Sequence, residues 1–197
     1  MPKVTEDYRA ARRDEIADAA LRAFRRKGFQ ATSMAEIIEE SGLSAGAIYG
    51  HYPSKAALVV EVAARIVGGR IEEIGRLVDA TPMTPPPGLV RVLVTAMTRE
   101  LGSTGVMLQL WGEAVTDGDI AELASTVLVR LVASLREYTS LWYQRTHGTA
   151  PDEADALAVD QVPLLLAAVQ GYVIQSTLLP QFDAEAYLAS VERNLPS

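Results

Sequence analysis

Residues 32–55 read TSMAEIIEESGLSAGAIYGHYPSK, and the spacing inside this stretch decides the fold. Met34, Ile37 and Ile38 share one face of a short helix that starts near Ser33, with Thr32 as its expected N-cap. Ser41-Gly42-Leu43 supplies a tight turn, because glycine enters the left-handed region without a Cβ clash. Ser44 then caps a very short second helix, about Ala45 to Gly50, anchored by Ile48. Two short helices joined this way form a helix-turn-helix, the unit whose second helix enters a DNA major groove.

The outward side of that second helix offers Ser44, Ala45, Gly46 and Ala47, residues small enough to allow close approach to a groove. Tyr49, His51, Tyr52 and Lys55 follow, with hydroxyl, imidazole and ammonium donors suited to phosphate oxygens. Standing alone, such aromatics read as packing around a helix junction. Inside the whole motif Tyr49, His51 and Lys55 read as phosphate contacts, and Tyr52 as mainly packing. Thr32 and Ser33 are caps first, at a helix N-terminus whose N–H groups also suit a phosphate. Gly42, Gly46 and Gly50 recur every four residues, but the segment is too polar and short for a membrane helix-dimer motif. Gly42 reads as serving the turn, Gly46 as allowing close approach, and Gly50 as keeping a side chain from between phosphate-facing aromatics.

Upstream, about Arg9 to Lys27 forms an amphipathic helix with Ile16, Ala19, Ala20, Ala23 and Phe24 on one face and Gly28 as a left-handed cap. Arg13, Arg25, Arg26 and Lys27 are expected as solvated surface, while Arg9 or Arg12 could reach a phosphate or the minor groove from a flexible arm.

Residues 9 to about 60 resemble the DNA-binding domain of the TetR family of one-component repressors. The resemblance rests on Gly28-Phe29, Thr32-Ser33 with Ile37, the turn Ser41-Gly42-Leu43-Ser44, and Tyr49-Gly-His51-Tyr52-Pro-Ser54-Lys55. Tyr52 stands where phenylalanine is usual and Ile38 where alanine is common. The resemblance implies a DNA-binding domain over residues 1–55 and an effector-binding and dimerisation domain over 56–197. It further implies a homodimeric repressor on a palindromic operator in double-stranded DNA, released by a small molecule.

Helical spacing continues through the rest of the chain without sustained two-residue alternation, so the fold is expected to be all-α with about nine helices. Pro53 is placed in the first turn of a fourth helix capped near Ser54 or Tyr52, running to about Ala80 and bending at Gly68-Gly69. The run Pro82-Met83-Thr84-Pro85-Pro86-Pro87 reads as a non-helical connection. Further helices are expected at about Leu89–Leu101, Thr104–Thr116, Asp119–Thr146, Asp152–Leu179 with a kink at Pro163, and Asp183–Asn194. Met97, Met107, Leu108, Trp111, Tyr138, Trp142, Tyr143, Tyr172 and Gln175 concentrate aromatic, thioether and amide surface; singly each reads as core, as a group they are candidates for a lipophilic pocket. Glu100, Glu113 or Asp160 could favour a cation there. Leu164, Val169, Val173, Tyr187, Leu188 and Val191 on the last two helices are expected to form a dimer interface.

The 197 residues carry a net charge of −7, and 49% are hydrophobic. An acidic chain argues against nucleic acid until it is divided: residues 1–55 hold nine Lys/Arg and eight Asp/Glu, residues 56–197 nine and seventeen. A nearly neutral head is thus joined to an acidic body. With no cysteine and only His51 and His147, disulfide scaffolds, zinc fingers, thiol catalysis and histidine-rich metal sites are excluded, and no cofactor is expected. An all-α enzyme is the rival reading, set against the expectation of no metal-ligand cluster, no Gly-x-Ser-x-Gly elbow and no Walker loop; a third is an effector-binding protein without DNA binding. Val162–Leu179 approaches the length of a membrane span, but Pro163, Gln170, Gly171 and Gln175 interrupt it, which favours a buried or interface helix. MPKVTEDYRAARRDE lacks the apolar stretch of a signal peptide, so the expected location is the cytoplasm.

Overall fold

A computed structural model describes residues 6–101 and 103–197. Among these residues there are nine helices and no strand: α1 (Glu6–Lys27), α2 (Met34–Ser41), α3 (Ala45–Tyr49), α4 (Lys55–Leu77), α5 (Pro86–Leu101), α6 (Gly105–Thr116), α7 (Gly118–His147), α8 (Pro151–Leu178) and α9 (Ala184–Asn194).

Local chemistry sets the helix ends. Ser33, not Thr32, is the N-cap of α2: its hydroxyl accepts from the Glu36 amide while the Glu36 carboxylate accepts from the Ser33 amide. Thr32 is buried, its hydroxyl 2.7 Å from the Gly28 carbonyl. Gly28 (φ 79°) and Gly42 (φ 67°) take the left-handed conformation expected after α1 and α2. Ser44 and Ser54 cap α3 and α4, so Pro53 precedes the fourth helix instead of lying in it.

Two further sequence expectations change, at the starts of α1 and α5. α1 already begins at Glu6, so Arg9 and Arg12 sit on a helix and not on a flexible arm; residues 1–5 lie outside the described residues. α4 is assigned as one helix across Gly68-Gly69, and α8 as one helix across Pro163. Pro86 and Pro87 open α5, because a first turn has no intrahelical acceptor for the missing N–H groups.

Packing makes two apolar clusters. The first joins α1–α3 to the start of α4 through Ile16, Phe24, Phe29, Ile37, Ile48, Tyr52 and Leu58, then continues into the body through Ile66, Met97, Leu101, Leu110 and Ile120. This core crosses the boundary expected at residue 55. The second cluster closes the far end, where Leu89, Leu93, Leu135, Tyr138, Trp142, Leu165 and Leu188 interdigitate. α8 is long and apolar enough, by length and composition, to cross a membrane; its inner side, with Ala154, Ala158, Val162, Leu165 and Val173, is buried in the bundle. Tyr187 of α9 donates to the Ala168 carbonyl at 2.7 Å and lies over Gly171, where a Cβ would come within 2.6 Å of the hydroxyl.

Candidate nucleic-acid interface and ligand cavity

On the head, Ser33, Ser44, Ala45, Gly46, Tyr49 and Gly50 are exposed, Ala47 and His51 half-buried, and Ile48 is fully buried beneath them. One apolar anchor therefore fixes α3 while its outer surface stays small. A Cβ at Gly46 would meet nothing within 4 Å, so no contact inside the protein requires glycine there. Gly50 has a reason inside the protein: a Cβ would stand 3.1 Å from the Gly46 carbonyl oxygen. Gly42-Leu43-Ser44-Ala45-Gly46 does have Gly-x-Ser-x-Gly spacing, but no strand leads into it and Ser44 is occupied as the α3 cap.

Three of the residues expected to touch DNA are turned inward. Lys55 points its ammonium into the α1–α2 connection, 3.1, 3.3 and 3.0 Å from the carbonyls of Phe29, Gln30 and Thr32, and over the Phe29 ring at 4.3 Å. An ammonium has three N–H donors and all three are used, so Lys55 clamps the loop instead of reaching outward. Tyr52 is 3% exposed, packed in the core with the Arg13 guanidinium 5.6 Å over its ring, and burial pushes its hydroxyl pKa up. Thr32, as above, is a loop tie.

Arg26 and Lys27 are exposed, as expected of solvated surface, and together with Arg22 they also tie α1 to α2. Arg22 and Arg26 reach opposite oxygens of Glu40 at 2.8 and 2.7 Å and hold its carboxyl below the ordinary value. Lys27 pairs with Glu36, and this contact, reinforced by the Ser33 amide, lowers the Glu36 carboxyl to about 2.

The body holds a cavity of about 420 Å³ between α4, α5, α6, α7 and α8. Its walls include Val60, Ala63 and Val67 of α4, Met97, Met107, Trp111, Leu128, Leu131 and Val169. Met97, Met107 and Trp111 thus lie where the sequence suggested. The other candidates do not. Tyr138 is buried in the second cluster with its hydroxyl 2.9 Å from the Thr84 carbonyl, and Trp142 packs edge-on against Tyr143 and His147. Tyr172 packs on Phe182 and Tyr187, and neither Leu108 nor Gln175 lines the cavity. The acids Glu100, Glu113 and Asp160 are also outside its lining: Glu100 pairs with Arg70, and Glu113 accepts from the Gln30 amide.

Sequence reasoning missed two residues. Gln109 of α6 takes the Phe29 N–H at 2.7 Å and the Gln30 N–H at 3.4 Å, and its amide packs against Gly28. The same helix thus grips the head's loop and, through Met107, Leu110, Trp111 and Ala114, walls the cavity. Nothing in the local sequence marks a long-range contact of this kind. Arg70 was legible: Val59, Ala63 and Ile66 form a helical stripe that Arg70 continues, a charge on an apolar face.

Of the residues expected between subunits, Val173 and Leu188 are buried inside the chain and unavailable, because α8 and α9 close on each other and on the bundle. Tyr187 is committed to Ala168, Val169 faces the cavity, and Val191 packs on the second cluster. Leu164 is open, 48% exposed.

Residues 16–62 match the family model described as bacterial regulatory proteins, tetR family. The HTH-type transcriptional regulator YfiR of Bacillus subtilis is 38% identical over 78 residues, 40% of this chain and 36% of YfiR. The HTH-type transcriptional repressor Rv1474c of Mycobacterium tuberculosis is 41% identical over 63 residues, 32% of this chain and 34% of its own length. The chain therefore spans about a third of the length of these relatives. A solved transcriptional regulator from Saccharomonospora viridis, in complex with choline, shares the fold over 94% of this chain and 98% of its own, with a TM-score of 0.68 and 21% identity.

Proposed function

We propose that the chain, whose residues 16–62 match the tetR family model of bacterial regulatory proteins, is a cytoplasmic, homodimeric repressor of transcription that a small, largely apolar molecule releases from DNA. The observation that carries this reading is α6, which walls the cavity on one side and holds the Phe29 and Gln30 amides of the head on the other. A ligand that displaces Met107 or Trp111 displaces Gln109 with them, and with it the loop that Lys55 clamps to the start of α4. The effect requires differential affinity: ligand and DNA weaken each other by the same factor.

At the DNA surface, Ser44, Ala45 and Gly46 would lie against base edges, with Tyr49, His51 and Ser33 on phosphates. Lys55 and Tyr52 act indirectly, by holding the head's shape. Two heads would occupy successive major grooves about 34–36 Å apart on a palindromic site.

Dimerisation would use the open side of α8. Leu157, Leu164 and Leu178 are exposed and fall on a seven-residue repeat, with Ala167 and Ile174 between them, the pattern that buries a seam against a second helix. A two-fold pairing of this face also gives α8 a partner other than lipid.

The test is selection of duplexes from a random pool with purified protein, followed by fluorescence anisotropy against excess non-specific competitor. Retention of a palindromic duplex, weakened at least about tenfold by Tyr49→Ala and by rising salt, supports the reading. Enrichment of no duplex would remove the DNA-binding function and leave only the effector-binding alternative.

A further inference from the structure

Among the described residues Arg70 is the one charged side chain lining the cavity, and it is 7% exposed. Its Nη2 donates to Glu100 Oε1, and its Nη1 stands 3.3 Å from Glu73 Oε2 in an ion pair. Neither Nε nor Nη1 has a hydrogen-bond acceptor among the described residues. A guanidinium keeps its charge at any physiological pH, so burial cannot be relieved by losing a proton. A buried donor without an acceptor is costly, and such groups in native proteins call for an explanation.

The surroundings say what kind of acceptor is missing. Glu73 and Glu100 are part-exposed, at 27% and 33%, and neither belongs to the cavity lining. Two carboxylates already face one guanidinium from the outer side, so the group's charge is more than balanced. Nε and Nη1 lie packed behind the cavity wall, and a turn of the guanidinium toward a bound molecule is what brings their hydrogen-bonding capacity to the cavity. The remaining wall is alkyl, thioether and indole, with Ser125 and Gln170 as the other polar members. A cation would meet the guanidinium, and an anion would add a third negative charge beside two existing ones.

We propose that the cavity takes a neutral, largely apolar molecule carrying an oxygen acceptor, of the ketone, ester or amide class, and that Arg70 is the residue that hydrogen-bonds this oxygen. The inference rests on the reading of the cavity as the effector site and adds the chemistry of the effector. Trp111 on the wall favours a flat ring system over a flexible chain, and supplies a fluorescent reporter.

The experiment uses four matched probes with the intact protein: 2-acetonaphthone, 2-ethylnaphthalene, 2-naphthoate and 2-naphthylmethylammonium, each titrated against tryptophan fluorescence, with Trp111→Phe assigning the signal. The ketone should bind at least about tenfold more tightly than the hydrocarbon, the usual size of one hydrogen bond to a charged donor. It should also exceed both ions. In Arg70→Met the ketone's advantage over the hydrocarbon should disappear while the hydrocarbon's own affinity changes less than about threefold. In Glu100→Gln, which removes one competing carboxylate, naphthoate should gain. The ranking of the four probes on the unmodified protein stands by itself should Arg70→Met fail to fold. Equal binding of ketone and hydrocarbon, or a preference for either ion, overturns this inference while leaving the cavity an effector site. Binding of none of the four overturns the effector reading and this inference with it.

Discussion

Residues 33–55 fold into two helices of eight and five residues, each closed by a serine cap at its start, while α7 and α8 run for 30 and 28 residues. Helices as short as α2 and α3 have no stability of their own in water. They depend on caps, on the αL glycine at 42, and on a few anchors such as Ile37 and Ile48. The long helices depend on tertiary packing, and they pack incompletely, leaving a cavity on one side and an open apolar stripe on the other. A head built from exact local chemistry is therefore joined to a body whose unfilled surfaces are available for ligand and partner. That contrast gives the substitutions their expected order.

The largest effect should come from the head's anchor. Ile48→Ala removes a fully buried side chain from a five-residue helix and should cost about 2–5 kcal/mol in chemical denaturation. Met107→Ala, in a helix that already borders open space, should cost less, since its neighbours lose fewer contacts. Next, Lys55→Met should lower stability by about 1–3 kcal/mol, because three loop carbonyls each lose a donor, with Phe29 alone keeping a second from the Thr32 N–H. If Lys55 touched phosphate instead, the salt dependence of DNA binding would flatten; the expected result is an unchanged slope. Tyr49→Ala should behave oppositely, weakening DNA binding with stability changed by no more than about 0.5 kcal/mol, because the ring is 49% exposed.

Surface Leu164 tests the body alone. Leu164→Glu should convert the dimer to a folded monomer in analytical ultracentrifugation, with DNA affinity falling because one head binds without the other.

The smallest effect concerns the α2 capping box. Glu36 has its carboxyl lowered from 4.5 to about 2 in the fold, with Lys27 the main cause. A depressed carboxyl stabilises the fold above its unfolded value and loses that contribution as pH falls toward the folded one. Thermal midpoints measured at pH 5 and pH 3 should therefore fall further in the unmodified protein than in Glu36→Gln, while Asp183→Asn at the α9 cap in the body should leave that difference in place.

The same contrast explains what the sequence revealed. Gly28, Gly42, Ser44 and Ile48 do their work within a few residues of themselves, so most of the head's caps were readable, while the choice between Thr32 and Ser33 and the place of Pro53 were reversed. In the body, helix number and order followed from periodicity, but the side-chain assignments depended on rotation and contact across the bundle. Tyr138, Trp142 and Tyr172 have the composition expected of a ligand wall and are packed elsewhere. Lys55 shows that the limit also applies inside a motif: spacing placed the residue, and only the fold shows that its ammonium turns toward Phe29, Gln30 and Thr32.

Communication between head and cavity through α6 is the central claim. It is tested most directly by the affinity of the dimer for its selected duplex, with and without 2-acetonaphthone at saturation, in the unmodified protein and in Gln109→Ala. The ligand should weaken DNA binding at least about tenfold, about 1.4 kcal/mol of coupling, and Gln109→Ala should lose most of that effect while still binding the ligand. A saturated cavity that leaves the duplex affinity unchanged, or a Gln109→Ala variant that responds as strongly as the unmodified protein, would contradict it.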